Sequence, residues 1–128
     1  MLPCMEPERA VESLRAAELC LEAELVNSAV SRSYYAMFQA AQVALESAGV
    51  TRARWSHPVL QAAFTAELIH RRKIFPRMFR NYLSAGLGVR QAADYGQEGV
   101  SRGIAHRMVR RAAAFVSTVQ EGRPGRER

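Results

Sequence analysis

The segment over residues 31–45, which reads SRSYYAMFQAAQVAL, is apolar around most of a helical circumference. At helical spacing it carries one line of larger side chains, which includes Tyr34 and Met37, and a second line of small ones, which includes Ala36 and Ala40. A helix that is apolar nearly all round is enclosed by several neighbours, and a line of alanines lets one of them approach closely. The segment therefore predicts a buried central helix.

One narrow polar strip remains on this helix. Steps of three and four residues place its members on one line, and they are Ser28, Arg32, Tyr35, Gln39, Gln42 and Glu46. An unpaired arginine or glutamine is costly to bury, so the strip faces water, a ligand or a partner. Two interpretations stay open. The strip is either the ordinary outer face of the helix or a subunit interface, and the tyrosine and glutamines favour the second.

Helical patterns continue on both sides of this segment, and glycine, proline and serine separate them. The predicted helices cover residues 6–24, 27–48, 56–72, 76–95 and about 101–121. Ser56 is a candidate N-cap, Gly49 and Gly96 end helices, and Gly86 weakens the fourth helix. Short loops favour antiparallel neighbours. We expect an all-α fold, an antiparallel bundle of four to five helices, as one domain over residues 1–121 with a flexible basic tail over residues 122–128.

The composition excludes several classes of protein. The 128 residues include two cysteines and three histidines that lie far apart in sequence, so neither a disulfide framework nor a zinc site is expected. Six glutamates within residues 1–24 are incompatible with a signal peptide, and no apolar stretch is long enough to cross a bilayer. We therefore expect a cytoplasmic protein with no metal, no cofactor and no membrane association.

Charge is divided unevenly along the chain. Residues 1–50 hold three arginines and seven acids, for a net charge of −4, whereas residues 51–128 hold fifteen bases and five acids, for +10. This asymmetry favours a polyanion or an acidic protein as partner, although solvated helix faces explain it equally well. The candidate phosphate- or RNA-binding patch comprises Arg71, Arg72, Lys73, Arg77, Arg80, Arg102, Arg107 and Arg110. Trp55, Phe75 and Phe79 are candidates for stacking on bases, but the two phenylalanines fit the core better.

The run NSAVSRSYYAMFQA over residues 27–40 resembles the second helix of HEPN domains in their small stand-alone prokaryotic branch. Further matches follow in order: His57, where that branch has a histidine opening the third helix, then Phe64, RQAADY over residues 90–95 and AAAFV over residues 112–116. The resemblance covers about residues 8–119. It implies an antiparallel bundle that commonly dimerises and nucleotide- or RNA-related work, often in toxin–antitoxin, phage-defence or CRISPR-linked systems. It also implies a small nucleotidyltransferase as a frequent partner.

Nuclease members of that family pair an arginine with a histidine a few residues later and cleave RNA without a metal. Here Arg90 holds the arginine position, but Asp94 and Tyr95 stand where the histidine is expected. Arg52 and His57 have four residues between them and match the spacing, but the run between them is the loop before the third helix, away from the family's catalytic position. The catalytic residues therefore stay undetermined, with Arg90 and His57 as the candidates.

The polar side chains of the two strongest motif segments are the candidate binding or interface residues. They are Arg32, Tyr34, Tyr35, Gln39, Arg90, Asp94 and Tyr95. Arg90 and Asp94 are four residues apart on one helix, which favours an ion pair between them. We expect this pair to orient side chains of the second helix and to form one polar cluster with Arg32, Tyr35 and Tyr95.

Three functional interpretations follow. The first is a HEPN-like binding or regulatory module associated with RNA or a nucleotide, homodimeric, with a nucleotidyltransferase-type partner in a toxin–antitoxin or defence system. The second is a metal-independent ribonuclease toxin with a degenerate arginine–histidine motif. The third is a structural helical adaptor.

Overall fold

The computed structural model describes residues 4–122, and within them the chain forms five α-helices and no strand. The helices are α1 (Pro7–Glu22), α2 (Val26–Ser47), α3 (His57–Ala63), α4 (Met78–Tyr95) and α5 (Arg102–Glu121). The chain continues from α3 without a break into π-helical turns over Phe64–Arg71, which we call the π segment. The expected all-α antiparallel bundle is confirmed. The domain boundary stays a prediction, and residues 123–128 of the expected tail lie outside the described residues.

The central helix of the bundle is α2, as the sequence predicts. It packs against α1, α4, α5 and α3. Of its larger side chains, Val30, Tyr34, Met37 and Leu45 are fully buried. The alanine line is buried as well, and Ala36 and Ala40 allow the neighbouring helices to approach. Within residues 4–122, no helix combines the length and the apolar character needed to cross a membrane.

The helix ends follow local sequence signals. The Ser56 hydroxyl accepts a hydrogen bond from the backbone N–H of Val59 at 3.3 Å and caps α3. The Ser101 hydroxyl accepts one from Ile104 at 3.2 Å and caps α5. After α2, Gly49 has a φ of +84°, a left-handed conformation that glycine adopts without a steric penalty. The predicted boundaries consequently agree with the structure to within about two residues.

The π segment is a part of the backbone that the sequence pattern does not indicate. Its wider turns place Phe64, Leu68 and Ile69 on one buried face. The Phe64 ring lies 5.5 Å from the Phe75 ring and 5.4 Å from the Phe115 ring. The π segment therefore fits its side chains to an aromatic cluster shared with α4 and α5.

Gly86 has a packing role that its low helix propensity conceals. A Cβ atom at this position would lie 3.0 Å from the terminal methyl groups of both Met108 and Met37. The sequence predicts only the weaker helix propensity at this position, and the structure adds this packing contact. Glycine here lets the ends of the Met37 and Met108 side chains pack directly on the backbone of α4.

Candidate functional site

The two strongest sequence motifs meet in space, one on the first half of α2 and the other at the end of α4. The Nε of Arg90 donates to Oδ2 of Asp94 at 3.0 Å, and the two side chains are only 14% and 25% exposed. The Ser31 hydroxyl donates to Oδ1 of the same carboxylate. Asp94 therefore ties Arg90 to α2. We call the assembly the Arg90 cluster, and it comprises Ser31, Arg32, Tyr34, Tyr35, His57, Arg90 and Asp94.

The Tyr35 ring lies close to two guanidinium groups. The Cζ of Arg90 is 5.0 Å from the ring centroid, and the Cζ of Arg32 is 5.1 Å from it. Both distances are typical of cation–π contacts, which hold a guanidinium in a fixed orientation. Within residues 4–122, neither Nη group of Arg90 makes a hydrogen bond. Arg90 is thus fixed by its Nε and by the ring, while its remaining N–H groups are available to a ligand.

His57 joins the cluster from the first residue of α3. Its Nδ1 lies 2.8 Å from the Tyr34 hydroxyl, and its ring meets the Phe38 ring edge-on at 4.9 Å. A hydroxyl can donate to this nitrogen or accept from it, so Tyr34 suits either tautomer of the neutral imidazole. Among the described residues, Nε2 of His57 has no hydrogen-bond partner. The contact at Nδ1 therefore orients the imidazole, and Nε2 is left available to a ligand.

The electrostatics of the site follow from burial and from the charge of Arg90. Burial raises the pKa of Tyr34 to about 12, while the neighbouring Gln61 amide and the Arg90 charge act in the opposite direction. Gln61 lies beside the hydroxyl, although its Nε2 makes no hydrogen bond of ordinary geometry. Burial, and secondarily the Arg90 charge, lowers the pKa of His57 below its ordinary value of 6.5. At neutral pH the site therefore holds a neutral imidazole beside a fixed cation.

The lowered pKa of His57 makes stability depend on pH. As the pH falls below about 6.5, the unfolded chain takes up this proton before the folded chain does. The contribution of His57 is thus fully present above that pH and is lost as the pH falls toward the folded-state pKa. We expect the melting temperature to fall less between about pH 7 and pH 5 in His57→Gln than in the unsubstituted protein.

The matched control for this prediction is His70→Gln, which removes an exposed histidine of the π segment. It should keep the pH dependence of the unsubstituted protein. Equal pH dependence of melting in His57→Gln and the unsubstituted protein would contradict the assignment.

The structure brings together five of the seven candidate binding residues and separates the other two. Gln39 accepts a hydrogen bond from the Ser13 hydroxyl of α1 at 2.7 Å, so it belongs to a helix–helix contact. Tyr95 is 77% exposed, because one further residue along α4 turns its side chain away from Asp94 and from α2. The prediction that Tyr95 completes the cluster is therefore wrong.

The polar strip of α2 is likewise not one open face. Gln39 faces α1, and Glu46 accepts a hydrogen bond from the backbone N–H of Met5 at 2.7 Å. Only the first half of the strip, with Arg32 and Tyr35, belongs to the Arg90 cluster. The sequence places these residues on one line correctly but does not indicate that the segment preceding α1 covers the second half.

His57 is the functional candidate that spacing underestimates. The sequence analysis places it away from the family's catalytic position because the run from Arg52 to His57 leads into the third helix. In the fold, the start of α3 lies against α2, so His57 reaches Tyr34 and senses the charge of Arg90. The signal for it is the resemblance, which assigns a histidine to the start of the third helix.

The predicted basic patch divides into two regions. Arg72 lines a small pocket with Val119 and Gly122, at the end of α5. Arg107 and Arg110 line a groove along the first half of α5. The remaining candidates, Lys73, Arg77 and Arg80, are exposed along the turn before α4 and in its first turn.

Two arginines of the predicted basic patch form ion pairs within the protein, and the aromatic candidates are buried. Arg71 forms an ion pair with Glu67 at 2.7 Å, and Arg102 forms one with Glu24 at 3.0 Å. The aromatic candidates for base stacking are buried, with Trp55 at 9% exposure, Phe75 at 7% and Phe79 at 3%. These rings belong to the core and are unavailable to bases.

Comparison with known proteins agrees with the all-α fold. The family model described as HEPN domain matches residues 7–122, nearly the whole chain. No curated protein matches the chain. In the part of the chain that the structure describes, no group of three or more potential metal-ligating side chains comes together.

Proposed function

Because the chain belongs to the HEPN domain family, we propose that it is a module that binds a phosphate group of a nucleotide or an RNA chain at the Arg90 cluster. Membership supports a nucleotide- or RNA-related role in general. The choice of the Arg90 cluster as the site rests on its own geometry.

One observation carries the proposal. The side chain of Arg90 is only 14% exposed, yet within residues 4–122 only its Nε makes a hydrogen bond. Neither Nη atom is among the buried side-chain atoms that lack a hydrogen-bond partner, so both reach the surface, where an anion can meet them. A guanidinium fork matches a phosphate in bidentate fashion. Nε2 of His57 supplies a further polar group, and the exposed Arg32 supplies further positive charge. Together, two arginines and one imidazole nitrogen supply the positive charge and the polar contacts that a phosphate group needs.

The test is calorimetric titration with uridine monophosphate and with inorganic phosphate at about 0.1 M salt. We expect Arg90→Gln to weaken binding by about tenfold or more, because a charged hydrogen-bond donor is lost. The matched control is Arg15→Gln, which makes the same charge change at an exposed site on α1 and should leave the affinity unchanged.

Arg90→Lys keeps the charge but not the fork, and we expect it to retain part of the affinity. Thermal melts establish that each variant is folded before titration. Equal affinity of Arg90→Gln and the unsubstituted protein, or no binding by the unsubstituted protein, would refute the proposal.

A second candidate function is metal-independent cleavage of RNA, and the placement of His57 favours it, because Tyr34 holds Nδ1 and leaves Nε2 without a partner among the described residues. A neutral imidazole whose Nε2 carries the lone pair can accept the proton of a ribose 2′-hydroxyl, with Tyr34 accepting from Nδ1. The 2′-oxygen would attack phosphorus, the bond to the 5′-oxygen would break, the departing oxygen would take a proton from water, and the imidazolium would return its proton to the resulting hydroxide. Arg90 would stabilise the charge on the phosphate.

The measurement is incubation of RNA with the protein in excess chelator, followed by analysis of the product ends. Cleavage predicts 2′,3′-cyclic phosphate ends that disappear in His57→Gln, while uridine monophosphate binding persists. RNA that stays intact assigns the protein to binding without cleavage. A protein that neither binds phosphate nor cleaves RNA would instead fit the structural adaptor.

A homodimer, a nucleotidyltransferase-type partner and a toxin–antitoxin or defence role belong to the same proposal. They rest on the family resemblance. The molar mass of the purified protein in solution tests the homodimer directly, with twice the chain mass of 14.3 kDa expected.

A further inference from the structure

We propose that the outer face of α5 is a groove that holds the sugar–phosphate backbone of an RNA strand, separately from the phosphate site of the Arg90 cluster. The choice of RNA as the polyanion rests on the proposed function. The groove has a volume of about 500 Å³. We call it the α5 groove, and its lining residues are Tyr82, Gly103, His106, Arg107, Arg110, Arg111 and Ala114.

Helical spacing explains how the groove forms. Gly103, Arg107, Arg110 and Ala114 follow one another at steps of four, three and four residues, so they lie on one line along α5. The buried residues of α5, among them Met108, Ala112 and Phe115, lie on the opposite side. The small side chains at both ends of the line leave the space above it open, and His106 and Arg111 flank it.

The groove is cationic along its length, without internal neutralisation. Residues 103–120 contain no acidic side chain. In the described part of the chain, neither Arg107 nor Arg110 forms an ion pair or a hydrogen bond, whereas Arg102 is paired with Glu24. These guanidinium groups are therefore free to contact phosphates.

One arginine of the groove is already oriented. The Cζ of Arg111 lies 5.0 Å from the centroid of the Tyr82 ring, and that ring in turn stacks on Phe79 at 5.5 Å. The contact lowers the entropy that the side chain loses when it binds a ligand. The outer face of the Arg111 guanidinium can accept an unpaired base by stacking.

The lining of the groove favours a nucleic-acid strand over an acidic protein. Protein interfaces are anchored by buried aromatic and large aliphatic side chains. The α5 groove has no leucine, isoleucine, valine, methionine or phenylalanine among its lining residues, and Tyr82 is engaged by Phe79 and Arg111. Its chemistry is therefore that of phosphate contacts.

The groove and the Arg90 cluster lie on different sides of α4. Tyr82 and Arg90 are eight residues apart, which is about 12 Å along the axis and about 80° around it. Tyr82 meets α5, whereas Arg90 meets α2. Substitutions in one site therefore leave the other intact. Phosphate binding at the Arg90 cluster and RNA binding in the α5 groove can consequently be tested independently.

The experiment measures the affinity of a fluorescent oligouridine of about 20 nucleotides over a range of salt concentrations. The test variant is Arg107→Gln with Arg110→Gln. The control is Arg9→Gln with Arg15→Gln, which removes the same charge from exposed, ion-paired positions on α1. We expect the test variant to bind about tenfold more weakly at about 0.1 M salt and the salt slope to fall by about 1.4, for two lost phosphate contacts.

Both double variants should bind uridine monophosphate as the unsubstituted protein does, since neither touches the Arg90 cluster. Equal oligouridine affinities of the two double variants would overturn the groove. So would a failure of the unsubstituted protein to bind oligouridine. Oligothymidine bound tenfold more tightly than oligouridine would overturn the choice of RNA. Polyglutamate bound as tightly as oligouridine and lost in the test variant would assign the groove to an acidic protein instead.

Discussion

Asp94→Ala is expected to lower the free energy of unfolding by about 2 kcal/mol and to weaken the binding of uridine monophosphate. Removing the carboxylate leaves Arg90 with no ionic partner at a position where its side chain is only 14% exposed. Loss of one member of a buried pair costs about 3–5 kcal/mol, and the 25% exposure of Asp94 reduces this figure. The binding effect follows because the guanidinium loses the contact that orients it.

Two controls separate the charge of Asp94 from its hydrogen bonds. Asp94→Asn keeps an acceptor for Arg90 but removes the charge, so we expect an intermediate loss of stability. Ser31→Ala removes one donor to the carboxylate and should cost about 1 kcal/mol. Denaturant titration measures all three. If Asp94→Ala is as stable as the unsubstituted protein and binds uridine monophosphate equally well, the ion pair neither stabilises the fold nor orients Arg90 for binding.

Phe115→Ala is expected to destabilise the fold by about 3–5 kcal/mol, the range for truncating a fully buried phenylalanine. The ring is 0% exposed and lies 4.4 Å from the Phe79 ring and 5.4 Å from the Phe64 ring. Its loss therefore leaves a cavity where α5, α4 and the π segment meet. We expect the melting temperature to fall by about 10–20 °C.

Phe115→Leu is the matched control, because it keeps most of the buried volume. We expect it to cost about 1–2 kcal/mol. Both variants should bind uridine monophosphate normally while folded, since Phe115 does not contact the Arg90 cluster. A melting temperature of Phe115→Ala within about 3 °C of the unsubstituted value would contradict the aromatic cluster as a main source of stability.

The bundle is predictable from the sequence because its signals are local. The apolar circumference of α2, the serine caps of α3 and α5 and the glycine after α2 each act over a few residues. Which side of α1 faces the core is less predictable. Its line of larger side chains includes Val11, which is 40% exposed, whereas Ala10, Ser13 and Ala17 are buried against α2. Close helix approach selects small residues there, which hydrophobicity alone does not indicate.

The site was predictable only in part, because half of its contacts join distant segments. The spacing of Arg90 and Asp94 indicates their ion pair directly. The contacts of Asp94 with Ser31, and of His57 with Tyr34, connect residues far apart in sequence. No periodicity encodes such contacts. They depend on how α3 and α4 pack on α2, to which Gly86 contributes.

The most direct test of the Arg90 cluster as a phosphate site is an NMR titration of the His57 ring over pH, with and without uridine monophosphate. Without ligand, we predict a pKa of His57 below 6.5, because burial and Arg90 disfavour the imidazolium. A bound phosphate places negative charge beside the ring and should raise that pKa, and Arg90→Gln should abolish the increase. A His57 pKa that uridine monophosphate leaves unchanged in the unsubstituted protein would contradict the proposed site.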